Sequence, residues 1–268
     1  MSIGEVSGMD VNQPKTNYLT AGFMRMAARV EHIAARVQGK GYLSPSVRDE
    51  VRFVLDFLRQ APKLAVDIGS NIGKYTAELR RTTPRIEIHA FEPSAVNIKK
   101  LVERFKDDGL TNIVPLAVSD NCGVTTLYSD TAGSVLASLA KRRLEHFNTT
   151  FDVTEAVKVI RFDEYWVDRL DKRVLDIVKI DIEGHELSAL RGFGDAIEAT
   201  RVLQFEFGGT NIDTRTYWQD FWYFFREHDF DLYRITPLGV LHLDEYRESD
   251  EYFSFVANFI AANRRFAA

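Results

Sequence analysis

A short apolar strand that runs straight into a glycine turn and then a helix constrains this chain more than any other feature. Leu64 to Ile68 has the strand character, and Tyr75 to Arg81 the helical one. Between and across them runs Val66-Asp67-Ile68-Gly69-Ser70-Asn71-Ile72-Gly73-Lys74-Tyr75-Thr76. Gly69 lets the chain turn sharply, and Gly73 lets the helix approach the strand closely. Such a turn sets backbone amides against a ligand at the carboxyl end of the strand. Glycines at this spacing are a weak signal alone, and the flanking strand and helix strengthen it.

The alternation continues downstream. Ile86 to Phe91, Ile113 to Val118, Val124 to Tyr128, Val157 to Arg161, Leu175 to Ile182 and Arg201 to Phe207 read as strands. Val96 to Phe105, Glu186 to Leu190 (capped by Gly192) and Tyr217 to His228 read as helices. Buried strands alternating with helices predict an α/β fold, a mostly parallel sheet covered on both faces. The end of the chain departs from this pattern. Leu232 to Ile235 and Val240 to Leu243 flank Pro237-Leu238-Gly239 as a hairpin, and Phe253 to Ala261 is a last strand. The sheet should therefore finish antiparallel.

Ahead of this region, Met26, Val30, Ile33 and Val37 recur at helical spacing within residues 19–38. Ser44-Pro45-Ser46 opens a second helix through Val51, Val54, Leu55 and Leu58. The expected organisation is a helical extension over 1–60, acting as a lid or an interface, and one α/β domain over 61–268. Residues 1 to about 18 are polar and expected to be poorly ordered. Arg25, Arg29, Arg36 and Lys40 beside the apolar stripe also fit a helix lying on a membrane surface, though a lid or homodimer element is the preferred reading.

Composition closes off several function classes. Of 268 residues, 45% are hydrophobic and 27% charged, which excludes global disorder. Cys122 is the one cysteine, so neither a disulfide scaffold nor a cysteine zinc site is available. A net charge of −5, with only short basic clusters such as Lys141-Arg142-Arg143, argues against a nucleic-acid partner. No apolar stretch reaches a spanning length, and Met1 to Asp10 lacks a signal-peptide pattern. A reducing cytoplasmic location is expected.

The turn also indicates its ligand. Glu92 ends the next strand, 23 residues after Gly69, where a carboxylate accepts hydrogen bonds from ribose hydroxyls. A dinucleotide turn prefers a second glycine where Asn71 stands. An acid, Asp67, lies two residues before Gly69. It suits a ligand with an amino group and a sulfonium better than a pyrophosphate. The pair favours S-adenosylmethionine over NAD.

With these residues in place the chain resembles the FkbM family of class I S-adenosylmethionine-dependent methyltransferases. The matching segments are VDIGSNIGKYT (66–76), AFEP (90–93), NIVPLAVSD (112–120), VKIDIEGHELSALRGF (178–193) and LQFEF (203–207), within about 63–262. The resemblance implies a Rossmann-like seven-stranded sheet with an antiparallel terminal strand. It implies O-methylation, often of sugars or secondary metabolites, with a sugar or glycolipid among the small-molecule acceptors. Asp67, Gly69, Asn71 and Gly73 should surround the methionine part of the cofactor, with Ser70 and Tyr75 completing that set. Glu92 should hold the ribose, and Val118 and Ser119 should flank the adenine, with Asp120 nearby. Ser134 to Ser138 loosely resembles a serine-containing loop of the family.

An alcohol acceptor must lose its proton, which requires a base within hydrogen-bond reach. Asp181-Ile182-Glu183-Gly184-His185-Glu186 ends a buried strand, where ligands of open α/β sheets sit. His185 is the first candidate base, because an imidazole titrates at about 6.5. Asp181 is the second, as base or as the group orienting the hydroxyl. Glu183 and Glu206 are candidate substrate ligands, and Glu186 suits the start of a helix. The competing reading is magnesium held by Asp181, Glu183, Glu206 and Asp213. A nicotinamide-dependent oxidoreductase and a catalytically silent cofactor-binding protein are the remaining alternatives. The aromatic run Tyr217 to Phe225 reads as core, with Trp218 and Trp222 also suited to stacking on a sugar; Tyr165-Trp166 fits either role.

Overall fold

The computed structural model describes residues 18–41 and 46–266. The chain divides into two compact units, one ending at Ala35 and the other beginning at Arg36. Helix α1 (Tyr18–Val37) carries Phe23, Met26, Val30 and Ile33 exposed along it. The expectation for residues 1 to 17, and the Ser44-Pro45 helix opening, lie outside the described residues. Ser46 is described, and its hydroxyl oxygen accepts the Asp49 N–H to cap α2 (Val47–Asp56). The expected division at 60/61 falls inside the second unit, because α2 packs Val51 and Val54 among side chains of the sheet.

The second unit alternates as its sequence predicts. It runs β1 (Leu64–Ile68), α3 (Lys74–Thr82), β2 (Glu87–Phe91), α4 (Ala95–Arg104), β3 (Thr111–Val114), β4 (Ala117–Val118), β5 (Gly123–Ser129) and β6 (Val153–Ile160). Then come α5 (Phe162–Leu170), β7 (Leu175–Ile180), α6 (Glu186–Arg191), β8 (Thr200–Gly208), α7 (Asn211–Thr214), α8 (Trp218–Glu227), β9 (Phe230–Thr236), β10 (Gly239–Leu243) and β11 (Val256–Asn263). The large sheet has the order β10-β9-β11-β8-β7-β1-β2-β3. The five strands from β8 to β3 pair in parallel, and β11 lies antiparallel between β8 and β9.

Three details differ from the expectation. Among the described residues the large sheet has eight strands rather than seven, because the hairpin adds β10 beside β9. The strand expected over 113–118 is broken at Pro115, which has no N–H for a ladder. Its second half, β4, joins β5 and β6 in a separate sheet of order β4-β6-β5. Helix α5 was not legible as a helix. It buries Phe162, Trp166 and Leu170 at four-residue spacing and places Asp163 and Glu164 in its first turn, where the helix dipole favours them.

Alternation along each strand sorts the two faces. Ala65, Ile177 and Val202 pack with α2 and α3. Val66, Val178, Leu203 and Phe205 pack in the larger core with Phe162, Leu190 and Phe221 from the other helices. Trp218 is fully buried and stacks on Phe259, and with Phe221, Trp222 and Phe225 it makes the inner face of α8 core, while Tyr223 is exposed. On the α2–α3 face the pattern turns polar near the carboxyl ends of the strands. Asp67, Lys179 and Gln204 stand in register across β1, β7 and β8.

Candidate active site

The glycine turn is forced by close packing between strands. Gly69 and Gly73 have φ of +84° and +75°, and Asn71 between them is also left-handed. A Cβ on Gly69 would lie 1.9 Å from the Asp181 carbonyl oxygen, and one on Gly73 would lie 2.6 Å from the Phe105 ring. The Asp181 N–H donates to the Ile68 carbonyl at 3.0 Å, so β1 and β7 stay zipped to the edge of the turn.

Glu92 is buried, and its two carboxylate oxygens accept the N–H groups of Ser94 and Asn71, each at 2.9 Å. Burial pushes its carboxyl up to about 6, against the pull of those amides. Each oxygen keeps lone pairs for a further donor. Asp67 accepts the Thr76 hydroxyl through Oδ2, while its buried Oδ1 has no hydrogen-bond partner among the described residues. Desolvation raises its pKa, opposed by the Lys179 charge.

A cleft of about 270 Å³ joins these groups to the end of β7. Gly69, Ser70, Asn71, Tyr75, Glu92 and Val118 line it, as do Asp67, Asp181, Glu183 and Glu206. Part of its wall is the β5–β6 connection. Ser134, Val135, Ala137, Ser138 and Leu139 all face it. The Asn71 side-chain amide donates to the Ser134 carbonyl at 3.4 Å, and the Ser138 hydroxyl donates to the Glu183 carbonyl at 2.9 Å. The loose serine-loop match thus falls on residues that border the cleft.

Lys179 organises the charges here. Its Nζ lies 2.7 Å from Asp181 Oδ2 and 5.2 Å from the centre of the Tyr75 ring. Burial alone would lower its pKa. Asp181, Asp67, Glu206 and Glu50 outweigh that and raise it, which favours the charged ammonium. Glu183, in a left-handed backbone conformation, accepts from Arg142 at 2.8 Å. Burial and the Asp181 charge nevertheless push its carboxyl up to about 8. Glu206 is raised well above the ordinary range by burial and then by Asp181. Glu186 is buried outside the cleft lining and accepts the N–H groups of Ile182 and Gly184, which fixes the turn carrying Glu183.

Not every expected residue reaches the cleft. His185 is turned away from it, and its Nε2 lies 2.9 Å from the Ser119 hydroxyl. Burial lowers its pKa, against the Asp120 charge. Ser119 is occupied by this contact and is absent from the lining, unlike Val118. Gly73 acts through the helix approach alone.

The family model described as the methyltransferase FkbM domain matches residues 67–232. The chain belongs to the FkbM methyltransferase family. Among curated proteins, it is 24% identical over 194 residues to Methyltransferase 1 of Beauveria bassiana, covering 63% of this chain and 77% of the relative. It is 26% identical over 156 residues to the hexuronic acid methyltransferase AglP of Haloferax volcanii, covering 58% of this chain and 60% of that protein. An rRNA methylase structure from Streptococcus thermophilus aligns with a TM-score of 0.46 at 12% identity, covering 82% of this chain and 98% of that one.

Family membership sets aside the nicotinamide oxidoreductase. The FkbM domain's carboxylates also meet built-in cations: Lys179 engages Asp181, and Arg142 engages Glu183 with Asp213 at 3.8 Å. Among the described residues, no group of three or more His, Cys, Asp or Glu is arranged to hold a metal ion. No described helix is long and apolar enough to cross a membrane. Lys179, Glu50 and Leu116 line the cleft and were missed by sequence reasoning. Lys179 was signalled by a charge inside the apolar run Val178 to Ile180. Glu50 carried no such signal, since an acid on an amphipathic helix is ordinary.

Proposed function

We propose that this chain is an S-adenosylmethionine-dependent O-methyltransferase acting on a hydroxyl of a sugar-containing or other small natural product. The observation that carries this reading is one cleft lined both by the glycine turn with Glu92 and by the Asp181, Glu183 and Glu206 carboxylates. The Asp67 Oδ1, without a hydrogen-bond partner among the described residues, supports the cofactor, because a buried acceptor requires a donor and an amino group supplies one. Glu92 would take the ribose hydroxyls on its remaining lone pairs, and Leu116 and Val118 would receive the adenine. Gly69, Ser70, Asn71 and Tyr75 complete the enclosure. When bound, the cofactor supplies a methyl group on a sulfonium, a leaving group that needs little acid assistance.

The chain's own task is then to hold the acceptor hydroxyl and take its proton. Asp181 is the preferred base, held in orientation by Lys179. Glu183 and Glu206 would bind neighbouring hydroxyls, donating hydrogen bonds where burial keeps them protonated. His185 becomes a positioning residue that acts through Ser119 beside the Val118 wall. The sugar named for the archaeal relative supports a saccharide acceptor at this coarse level.

Calorimetric titration with S-adenosylhomocysteine tests the reading, with NAD⁺ as a control. Binding of S-adenosylhomocysteine that is lost in Glu92→Ala supports it. No binding, or tighter binding of NAD⁺, overturns it. A titration repeated with Mg²⁺ checks the metal alternative, which requires binding or turnover to depend on the ion.

A further inference from the structure

One carboxylate of the cleft comes from outside the matched domain. Glu50, on α2, lies before residues 67–232, is 7% exposed and lines the cleft. Its position is set by a hydrogen-bonded bridge across the sheet. Gln204 Nε2 donates to Glu50 Oε2 at 2.8 Å and to Asn258 Oδ1 at 2.9 Å. Asn258 Nδ2 in turn donates to Glu206 Oε1 at 3.2 Å. One bridge from the Gln204 amide nitrogen therefore positions two cleft carboxylates, Glu50 directly and Glu206 through Asn258. Tyr75 provides an independent pointer to a ligand. It is 5% exposed and lines the same cleft, and its hydroxyl has no hydrogen-bond partner among the described residues.

We propose that Glu50, Glu206 and the Tyr75 hydroxyl form an acceptor subsite for adjacent hydroxyls of a neutral saccharide, with Glu50 as the specificity-determining residue. This rests on the O-methyltransferase reading above. A carboxylate accepts two hydroxyl hydrogens at once, and a phenol both donates and accepts, so the set matches a diol. An anionic sugar would bring its own charge against the Glu50 and Asp181 carboxylates that line the same cleft, and like charges in a buried site repel strongly. A cationic amino sugar would compete with Lys179, which already sits among the same carboxylates.

The test uses the full chain saturated with S-adenosylhomocysteine and saturation-transfer NMR. The probes are methyl α-D-glucopyranoside, methyl α-D-mannopyranoside and methyl α-D-galactopyranoside. Cyclohexanol serves as the single-hydroxyl comparator, and glucuronate and glucosamine as the charged ones. Glu50→Gln retains an oxygen for Gln204 and so preserves the bridge. At least one neutral glycoside should bind the wild type in preference to cyclohexanol. Its affinity should fall about tenfold or more in Glu50→Gln, since hydrogen bonds to charged groups have that weight. S-adenosylhomocysteine affinity should stay within about twofold, as Glu50 is assigned to the acceptor. Unchanged glycoside binding in Glu50→Gln, equal binding of cyclohexanol, or binding of the charged sugars alone would overturn this inference. Failure of the wild type to bind S-adenosylhomocysteine would instead bring down the methyltransferase reading beneath it.

Discussion

Lys179 on β7 and Asp181 just beyond its end share one face of the strand, and their charges meet at 2.7 Å. The pair joins the sheet interior to the cleft. Lys179 is 8% exposed at its side chain, whereas Asp181 is 29% exposed and reaches the opening.

Lys179→Met should therefore destabilise the fold, because several buried carboxylates lose their common countercharge. Removing one partner of a buried pair costs about 3–5 kcal/mol. Chemical denaturation would read the loss. In the double variant Lys179→Met/Asp181→Asn part of it should return, and strictly additive losses would contradict the coupling.

Asp181→Asn should reduce methyl transfer by about a hundredfold or more, the usual weight of a general base. His185→Gln should cost less than about tenfold, since its imidazole faces Ser119 and not the cleft. Release of S-adenosylhomocysteine in a single-turnover assay separates the two. The reverse ranking would return the base to His185.

Stability should decline as pH rises through the neutral range. Burial and Asp181 raise Glu183 from 4.5 to about 8, so the folded state holds that proton where the unfolded chain has lost it. Between those two values the folded state binds more protons, and stability falls with rising pH. Glu92 adds to the decline between 4.5 and about 6. Urea titrations across this range should show a shallower decline in Glu183→Gln. An unaltered slope would mean that Glu183 does not hold the extra proton.

Gly69→Ala should abolish cofactor-product binding. The added methyl would have to displace the Asp181 carbonyl oxygen at 1.9 Å, at a left-handed φ that further strains alanine. Circular dichroism would show whether the sheet survives, and calorimetry whether the turn still binds. Wild-type affinity would mean that the turn relaxes without effect.

The sequence made the cofactor loop legible because strand, glycines and helix are local features. The Gly69 N–H donates to the Phe91 carbonyl and the Asn71 N–H to the Glu92 carboxylate, within one βα turn and the next strand end. The orientation of His185 was not legible, because it depends on Ser119, 66 residues away, coming within 2.9 Å. Glu50 was hidden for the same reason. Its partner Gln204 is 154 residues distant, and only the packing of α2 on the sheet brings them together. The break after β3 could have been read from Pro115, but the second sheet to which β4 belongs is a non-local pairing with β6.

That second sheet gives the cleft a divided construction. The glycine turn and Asp181 belong to the large parallel sheet, whereas Ser134 to Leu139 hang from the β5–β6 hairpin of the small one. A change in the length or sequence of that hairpin loop would alter one wall of the cleft without moving a strand that carries the glycine turn. If the proposed function holds, exchanging this one loop would refit the cleft wall while leaving the glycine turn in place, and chimeras made at Ser129 and Val153 are the natural place to begin.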